Sequence, residues 1–242
     1  MRVPIIMFRL LGDEAVSPSC AIAYRKCVRI ALVFLLASIA ASFVHPVYAQ
    51  RGLEINAKQL EVMRTEKRVA LVIGNSNYAT SRLRNPVNDA RAMSIKLHAL
   101  GFEVIERLDI DQRSMKLAMI NFGKKLKKGG VGLFYYAGHG VQYEGNNYLI
   151  PVGARIDDEE HVEIEGVSIN QVLKRMGSAR NRLNLVILDS CRNNPYAAAF
   201  RSETRGLTVT SSPKGTYISY AAAPGAVAAD GKGKHSPYTQ AI

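Results

Sequence analysis

The chain has 242 residues, enough for one domain of ordinary size and too few for several. It carries 32 Lys and Arg residues against 20 Asp and Glu residues, and the net charge of +12 favours acidic partners or an anionic surface. The basic residues are scattered and form no stripe interleaved with aromatic residues, which argues against a nucleic-acid-binding protein.

The first 49 residues have the pattern of a targeting segment. Arg25, Lys26 and Arg29 precede the apolar run IALVFLLASIAASFV, and the small-residue site VYA ends at Ala49. This order is typical of a cleaved secretory signal peptide, and the run is short for a membrane-spanning helix. We therefore expect a signal peptide over 1–49 and an exported protein, periplasmic or secreted, with no membrane span after cleavage. The alternative is an uncleaved anchor.

The cysteine count points to one functional candidate. Of three cysteines, Cys20 and Cys27 lie in the expected leader, so the mature chain keeps only Cys191 and can form no internal disulfide. An unpaired thiol in an exported protein is a liability unless it is buried or used.

Strands and helices are expected to alternate after a polar lead-in segment over 50–67, which predicts a linker or a short helix. The apolar runs and helix signals predict strands over 68–74, 102–108, 131–140, 183–189 and 215–222, and helices from Asn85 to Gly101, from about Asp111 to the KKGG run, over 169–176 and from Ser236. The strands are apolar throughout, which indicates an α/β domain over 68–242, with a mostly parallel sheet and helices on both faces.

Two chemical motifs fall at strand ends, where ligands of parallel sheets bind. His139 in GHG and Cys191 in DSC each follow an apolar run, and a histidine beside a thiol can generate the thiolate needed for acyl transfer. Gly138 and Gly140 flank the histidine, which predicts a tight turn with a backbone N–H free to face an oxyanion. Either residue alone has a plain structural explanation, but together they predict a catalytic pair. One cysteine and four mature histidines without ligand spacing predict no metal site.

These motifs resemble those of the caspase-like cysteine peptidases. YYAGHG is followed by LDSCR, VALVIGNSNYATSRLRNPVNDARAM resembles the first strand and helix of that family, and YISYAAAPGAVAAD resembles a later strand and loop. The similarity runs from Arg68 to Ile242 and is greatest to metacaspases and paracaspases, including their bacterial relatives. It implies a caspase-like three-layer fold.

The resemblance also implies which substrates are recognised. Caspases hold an aspartate side chain with arginines, whereas metacaspases and paracaspases hold a basic side chain with acids. The matching positions are Asp189, two residues before Cys191, and Asp89 in the first helix, with Asp230 at the place of a third acid in paracaspases. The implied partners are proteins or peptides with Arg or Lys before the scissile bond. Asp89 is otherwise an ordinary first-turn acid, and Asp189 an ordinary strand-end residue.

The expected activity is that of a cysteine endopeptidase with a Cys–His dyad and no required third member. The Cys191 thiolate attacks the carbonyl carbon, and His139 protonates the leaving amine and later activates water. The backbone amides of Gly140 and Cys191 hold the oxyanion. One alternative is a catalytically inactive caspase-like scaffold that serves as a binding module. Another, a non-peptidase domain that binds a small ligand, is disfavoured because IGNSNY lacks phosphate-loop spacing.

Three further expectations concern regulation and assembly. No cofactor is expected to be required, because the acidic run from Asp157 to Glu160 lacks EF-hand order, although the metacaspase resemblance keeps calcium activation as an alternative.

The polar loop over 201–215 predicts either self-cleavage near Arg201 or Arg205 or a plain mobile loop. The chain stops at SPYTQAI where family members continue, so we expect a truncated domain whose uncovered sheet edge favours a homodimer.

Overall fold

A computed structural model describes residues 57–128, 130–191, 207, 210, 212–221, 230–231 and 233–242, with the backbone alone described at 57, 58 and 191. The chain divides into two compact units, Met1–Ala57 and Lys58–Ile242, and the second is described below. The expected leader over 1–49 lies outside the described residues, as do Arg201 and Arg205. No helix in the described part is both long enough and apolar enough to span a membrane.

In the described part of the chain, seven strands form one sheet. They are β1 (Arg68–Gly74), β2 (Glu103–Leu108), β3 (Val131–Tyr143), β4 (Asn146–Leu149), β5 (Val167–Ser168), β6 (Leu183–Cys191) and β7 (Thr216–Tyr220). Five of them run parallel in the order β2–β1–β3–β6–β7. The short strands β4 and β5 add an antiparallel extension to the end of β3. The predicted, mostly parallel sheet is therefore confirmed.

Helices pack on both faces of this sheet. They are α1 (Ala57–Thr65), α2 (Pro86–Ala99), α3 (Gln112–Lys125), α4 (His161–Glu165), α5 (Asn170–Ser178) and α6 (Pro237–Ala241). Helices α3 and α5 share one core with Val69 and Leu71 of β1, whereas α2 shares a second core with Ala70 and Val72. Alternate residues of β1 thus enter opposite cores, which explains why the run VALVI within it is apolar throughout. The fold is the expected three-layer α/β arrangement.

Strand β3 is longer than expected, and the turn predicted around His139 is absent. The strand continues to Tyr143 and turns back at Glu144 and Gly145, whose φ angles of 46° and 75° are those of a two-residue hairpin. Pairing with β4 gives the backbone after His139 the hydrogen bonds that keep it extended. The acidic stretch over 144–166, for which no element was predicted, contains β4 and α4.

The start of α2 differs in one detail from its prediction. Pro86 is the first helical residue and Asn85 precedes it, as expected, but the Asn85 side chain does not cap the helix. Its Nδ2 donates instead to the backbone carbonyl of Asp230, which a distant segment brings to this helix start. Helix α3 begins with a true cap, because Asp111 Oδ1 accepts a hydrogen bond from Ser114 N at 2.7 Å.

Candidate active site

The two residues of the predicted dyad lie next to each other on neighbouring strands. In the parallel register of β3 and β6, His139 lies opposite Cys191. Neighbouring strands are about 4.8 Å apart, so residues that are 52 positions apart in the sequence become direct cross-strand neighbours. Cys191 is the last residue of β6, and its side chain lies outside the described part of the structure.

The imidazole of His139 is 3% exposed and has one ring nitrogen engaged. Its Nε2 lies 2.7 Å from the carbonyl oxygen of Ser81. Because a carbonyl oxygen only accepts, Nε2 carries the proton, and Nδ1 has a lone pair with no partner among the described residues. Burial lowers the pKa of His139, although the Ser81 carbonyl and the charge of Asp230 act in the opposite direction. The ring is thus set to accept a proton at Nδ1.

Ser81 is a member of the site that the sequence analysis missed. It lies in the loop between β1 and α2 with a left-handed φ of 57°, and it acts through its main-chain oxygen. Such a carbonyl orients His139 in the way that an acid orients the histidine of a catalytic triad. Every residue has a backbone carbonyl, so the sequence could not single out this contact. The expected dyad had no third member, and the main chain supplies an orienting group instead.

The glycines beside His139 allow a close approach of side chains rather than a turn. Gly138 has a φ of 153°, and a Cβ placed there would lie 2.6 Å from the hydroxyl oxygen of Tyr78 and 2.7 Å from that of Tyr136. The same two tyrosines hold the histidine backbone. His139 N donates to the Tyr78 hydroxyl at 3.0 Å, and the Tyr136 hydroxyl lies 2.8 Å from the His139 carbonyl oxygen.

The position of Gly140 is compatible with its predicted oxyanion role. The His139 carbonyl accepts from Ile150 N at 3.0 Å, so the peptide groups of His139 face the edge of β3 along which β4 follows. Backbone N–H groups of successive strand residues point to opposite edges. The Gly140 N–H therefore faces the other edge, on which β6 ends at Cys191.

The three predicted substrate-binding acids converge on one cavity. Asp89 comes from α2, Asp189 from β6 and Asp230 from the segment before α6, and all three line the cavity together with Gly138 and Ser236. Its volume of about 10 Å³ is room for about one water molecule. Acids that are 100 and 41 positions apart in the sequence thus share one small space directly beside the dyad.

Asp189 is held by hydroxyl groups that the sequence analysis did not single out. Its Oδ2 accepts from Thr239 Oγ1 at 2.7 Å and from the Tyr135 hydroxyl at 3.2 Å, and Ser236 Oγ donates to the same oxygen. Ser236 also caps α6, because its Oγ accepts from Thr239 N at 2.9 Å. The start of α6 therefore fixes the orientation of a carboxylate that is 8% exposed.

Asp89 and Asp230 have different partners. Asp89 is 1% exposed, and its carboxylate accepts from His235 Nδ1 at 2.9 Å and from Ser236 N at 3.2 Å. Burial raises the pKa of Asp89 to about 6, and the neighbouring Asp189 adds to the rise while the two donors oppose it. Asp230 accepts instead from the backbone of Arg84 at 2.7 Å, at the start of α2. Both oxygens of Asp230 accept amide hydrogen bonds there, from Arg84 N and Asn85 N.

No group of three or more His, Cys, Asp or Glu side chains is arranged to hold a metal in the part of the chain that the structure describes. The acidic run from Asp157 to Glu160 lies in the loop before α4, where Asp158 Oδ1 accepts a hydrogen bond from His161 N at 3.1 Å.

Comparison with known proteins assigns the family. The family model for the caspase domain, peptidase family C14, matches residues 67–242, almost three quarters of the chain. The chain therefore belongs to the caspase-domain family of peptidases, and the resemblance to caspase-like cysteine peptidases is confirmed. A cysteine peptidase activity is the function that this membership supports.

Two curated mammalian proteins are similar to it. The human mucosa-associated lymphoid tissue lymphoma translocation protein 1 is 36% identical over 131 residues, which cover 53% of this chain and 16% of the human protein. The mouse homologue is 34% identical over 143 residues, covering 58% of this chain and 17% of the mouse protein. The chain thus matches about a sixth of the length of these relatives.

Solved structures are more distant. The Drosophila initiator caspase Dronc is 13% identical with a TM-score of 0.44, covering 63% of this chain and 54% of that one. A protein from Geobacter sulfurreducens is 20% identical with a TM-score of 0.43, covering 53% and 52%.

Proposed function

We propose that the chain is an exported cysteine endopeptidase that cleaves peptide bonds after Arg or Lys. The observation that carries the proposal is the convergence of Asp89, Asp189 and Asp230 on one cavity next to a buried histidine that lies opposite Cys191. Buried carboxylates that are close together without a cation are costly, and a guanidinium is the group best matched to them. The cavity beside the dyad therefore selects the residue before the scissile bond.

The reaction proceeds through an acyl-enzyme. His139 Nδ1 accepts the proton of the Cys191 thiol, the sulfur forms a bond to the substrate carbonyl carbon, and the carbon–nitrogen bond breaks as the amine takes the proton from His139. Water then attacks the thioester and gives a proton to the same nitrogen. The carboxylic acid leaves, and the proton returns to the thiol.

The main chain supplies the remaining electrostatic support. The Gly140 N–H, which faces the β6 edge, and the N–H of Cys191 donate to the oxyanion of each tetrahedral intermediate. The Ser81 carbonyl keeps the proton on Nε2 and so leaves Nδ1 free for the thiol.

Binding of a basic side chain requires the pocket to open. A cavity of about 10 Å³ does not hold an arginine side chain, and His235 Nδ1 already lies 2.9 Å from the Asp89 carboxylate. We therefore propose that residues 233–236 shift when substrate binds and that the substrate cation replaces His235 beside Asp89.

The same closed pocket favours a second candidate, a caspase-like scaffold that binds partners without turnover. In that case the contacts of His235 and Ser236 with Asp89 are permanent, and the dyad stays without substrate. The two candidates share the fold and differ only in whether the pocket opens.

Turnover separates the two candidates. The chain from Gln50 to Ile242 is incubated with fluorogenic peptides that differ only in Arg, Lys or Asp before the reporter, and Cys191→Ala is the control. Cleavage after Arg and Lys that is lost in Cys191→Ala supports the proposal. Preference for Asp contradicts the roles of the three acids, and no turnover from a folded protein favours the scaffold.

A matched pair of variants tests the pocket. Asp189→Asn removes a buried charge and is expected to lower kcat/KM for the Arg peptide by about two orders of magnitude, since leaving a buried cation unpaired costs several kcal/mol. Asp157→Asn removes an exposed charge in the loop before α4 and is expected to leave kcat/KM unchanged.

Export and independence from cofactors are part of the same proposal. The mature protein is expected to begin at Gln50, which N-terminal sequencing of the exported form tests. Activity is expected to be equal in a calcium chelator and in millimolar calcium. Self-cleavage near Arg201 or Arg205 is expected to give fragments that are absent from Cys191→Ala.

A further inference from the structure

A groove on the face of the sheet opposite α2 takes no part in the proposed reaction. It lies between the last turns of α3 and α5 and has a volume of about 670 Å³. Its apolar lining comes from Ile120, Leu126 and Ala179, and its basic lining from Lys124, Lys174 and Arg175. We call it the basic groove.

The cations of the basic groove lack carboxylate partners in the described part of the chain, where the ion pairs involve other basic residues. The Nε of Arg175 is buried and without a hydrogen-bond partner there. The aliphatic stem of Arg175 crosses α3 at Gly123, where an added Cβ would lie 3.1 Å from the Arg175 Cδ. The absence of a side chain at Gly123 thus lets Arg175 pack closely between the two helices. The basic groove is therefore suited to an acidic ligand with an apolar side chain.

One segment of the chain has this chemistry. The acidic segment, residues 157–165, carries the exposed carboxylates of Asp157, Glu160 and Glu163. Among them is Ile164, whose side chain is 65% exposed. An isoleucine flanked by acids complements an apolar floor flanked by cations.

The acidic segment cannot reach the groove of its own molecule. Gln112 at the start of α3 donates to the carbonyls of Ile164 at 2.6 Å and Gly166 at 3.1 Å, which holds the segment at that end of the helix. The groove begins at Ile120, and at 1.5 Å per residue its lining on α3 lies about 12 to 20 Å further along the helix. The two complementary surfaces are therefore at opposite ends of one helix.

We infer that the basic groove binds the acidic segment of a second copy of this chain. The contact uses different surfaces on the two molecules, so it is a head-to-tail interface. The dimer keeps an unused segment on one copy and an unused groove on the other, so assembly continues beyond the dimer into rings or filaments. Exposed ion pairs contribute to the contact, so added salt weakens it.

Sedimentation velocity over a range of protein concentrations tests the inference. Both the full chain and the chain from Gln50 are used, with Cys191→Ala in each so that neither cleavage nor oxidation of that thiol alters the masses. Species larger than a dimer are expected to grow with concentration and to disappear in high salt. A chain that stays monomeric at every concentration overturns the inference. It does so even if the groove then binds an acidic peptide or an anionic vesicle.

Three sets of substitutions localise the contact. Lys124→Glu with Lys174→Glu disables the groove, and Glu160→Ala with Glu163→Ala and Ile164→Ala disables the segment. Each is expected to yield monomers. Arg91→Glu with Lys96→Glu makes the same change of charge on exposed positions of α2 and is expected to assemble like the unchanged chain.

Mixing the first two variants gives the sharpest outcome. Each retains the half that the other lacks, so an equimolar mixture is expected to form a dimer and nothing larger. If either variant alone still associates, the contact lies elsewhere, for example at the sheet edge or the leader, and the inference is wrong. A mixture that stays monomeric contradicts it as well. These results do not depend on peptidase activity, so the proposed function is tested separately.

Discussion

Asp89 lies in the pocket with a carboxyl whose pKa is raised by burial to about 6. Above that pH it is charged and able to pair with a substrate cation, and below it the carboxyl is neutral. Affinity for an Arg peptide is therefore expected to fall as the pH drops through about 6, by up to about tenfold per pH unit. Titration calorimetry of Cys191→Ala with the peptide, from neutral pH to about pH 5, measures this without turnover.

Among the described residues, other titratable carboxyl and imidazole groups face the same pocket, and controls separate them from Asp89. They are His235, Asp189 and Asp230. Asp89→Asn is expected to bind the peptide weakly with no step near pH 6. His235→Gln is expected to keep a step and to move it to higher pH, because the imidazole lowers the pKa of Asp89. A step that survives in Asp89→Asn assigns the titration to another group and contradicts the prediction.

At the scale of residues, the predictable part of the site is the part that depends on side-chain chemistry. Cys191 and His139 stand out because each has a reactive side chain directly after an apolar run. Asp189 stands out because its carboxylate also follows such a run. Ser81 contributes a carbonyl oxygen, which every residue has. Thr239 is a common residue 50 positions from the acid it holds, so its role exists only in the folded chain.

At the scale of elements, α6 links the chain near its end to the pocket. Ser236→Ala removes both the cap of α6 and a hydrogen bond to Asp189. Loss of the cap is expected to cost about 1 kcal/mol of stability. Loss of the hydrogen bond leaves Asp189 held by Thr239 and Tyr135 alone, which weakens the control of its orientation. We expect a higher KM for Arg peptides with little change in kcat, measured by steady-state kinetics, and recovery in Ser236→Thr.

Asp111→Ala is the matched control for this change. Asp111 caps α3, on the opposite face of the sheet, with a side-chain hydrogen bond to Ser114 N at 2.7 Å. Its loss is expected to lower the unfolding midpoint by a similar amount and to leave KM unchanged. If both variants raise KM alike, the effect is one of stability alone and the positioning role of Ser236 is wrong.

The elements that patterning predicted well are those buried on both faces. Strand β1 ends at the expected residues because its apolar run stops at Gly74. Strands β4 and β5 were missed because they have four and two residues and depend on pairing with the end of β3. The length of β3 was underestimated for the same reason, since glycine beside His139 favours a turn locally and only the hairpin partner keeps the strand extended.

At the scale of the whole molecule, the boundary of the domain depends on residues that composition assigned to a lead-in segment. The expected domain begins at Arg68, yet Glu66 has a side chain that is 3% exposed and receives two hydrogen bonds from Arg182, at 2.7 Å and 2.9 Å. Arg68 Nη2 in turn donates to the carbonyl of Met63 at 2.7 Å. The polar sequence predicts a linker or a short helix, and α1 is that helix. The bidentate contact of Glu66 with Arg182, which precedes β6, attaches this segment to the domain.

A chain that begins at Arg68 is therefore expected to be less stable than one that begins at Gln50. Arg182 is 41% exposed, so solvent screens the pair and its loss is expected to cost only about 1 kcal/mol. For a domain of this size that corresponds to a fall of roughly 2–4 °C in the unfolding midpoint. Glu66→Gln in the longer chain is expected to reproduce part of the fall, because the truncation also removes the carbonyls of Met63 and Lys67, which accept from Arg68 and from Val131 N. Glu61→Gln, an exposed position on α1, is expected to have no effect. The unfolding midpoints are measured by differential scanning calorimetry. Equal midpoints for all four chains would mean that the domain begins at Arg68 and that the Glu66 contact does not contribute to its stability.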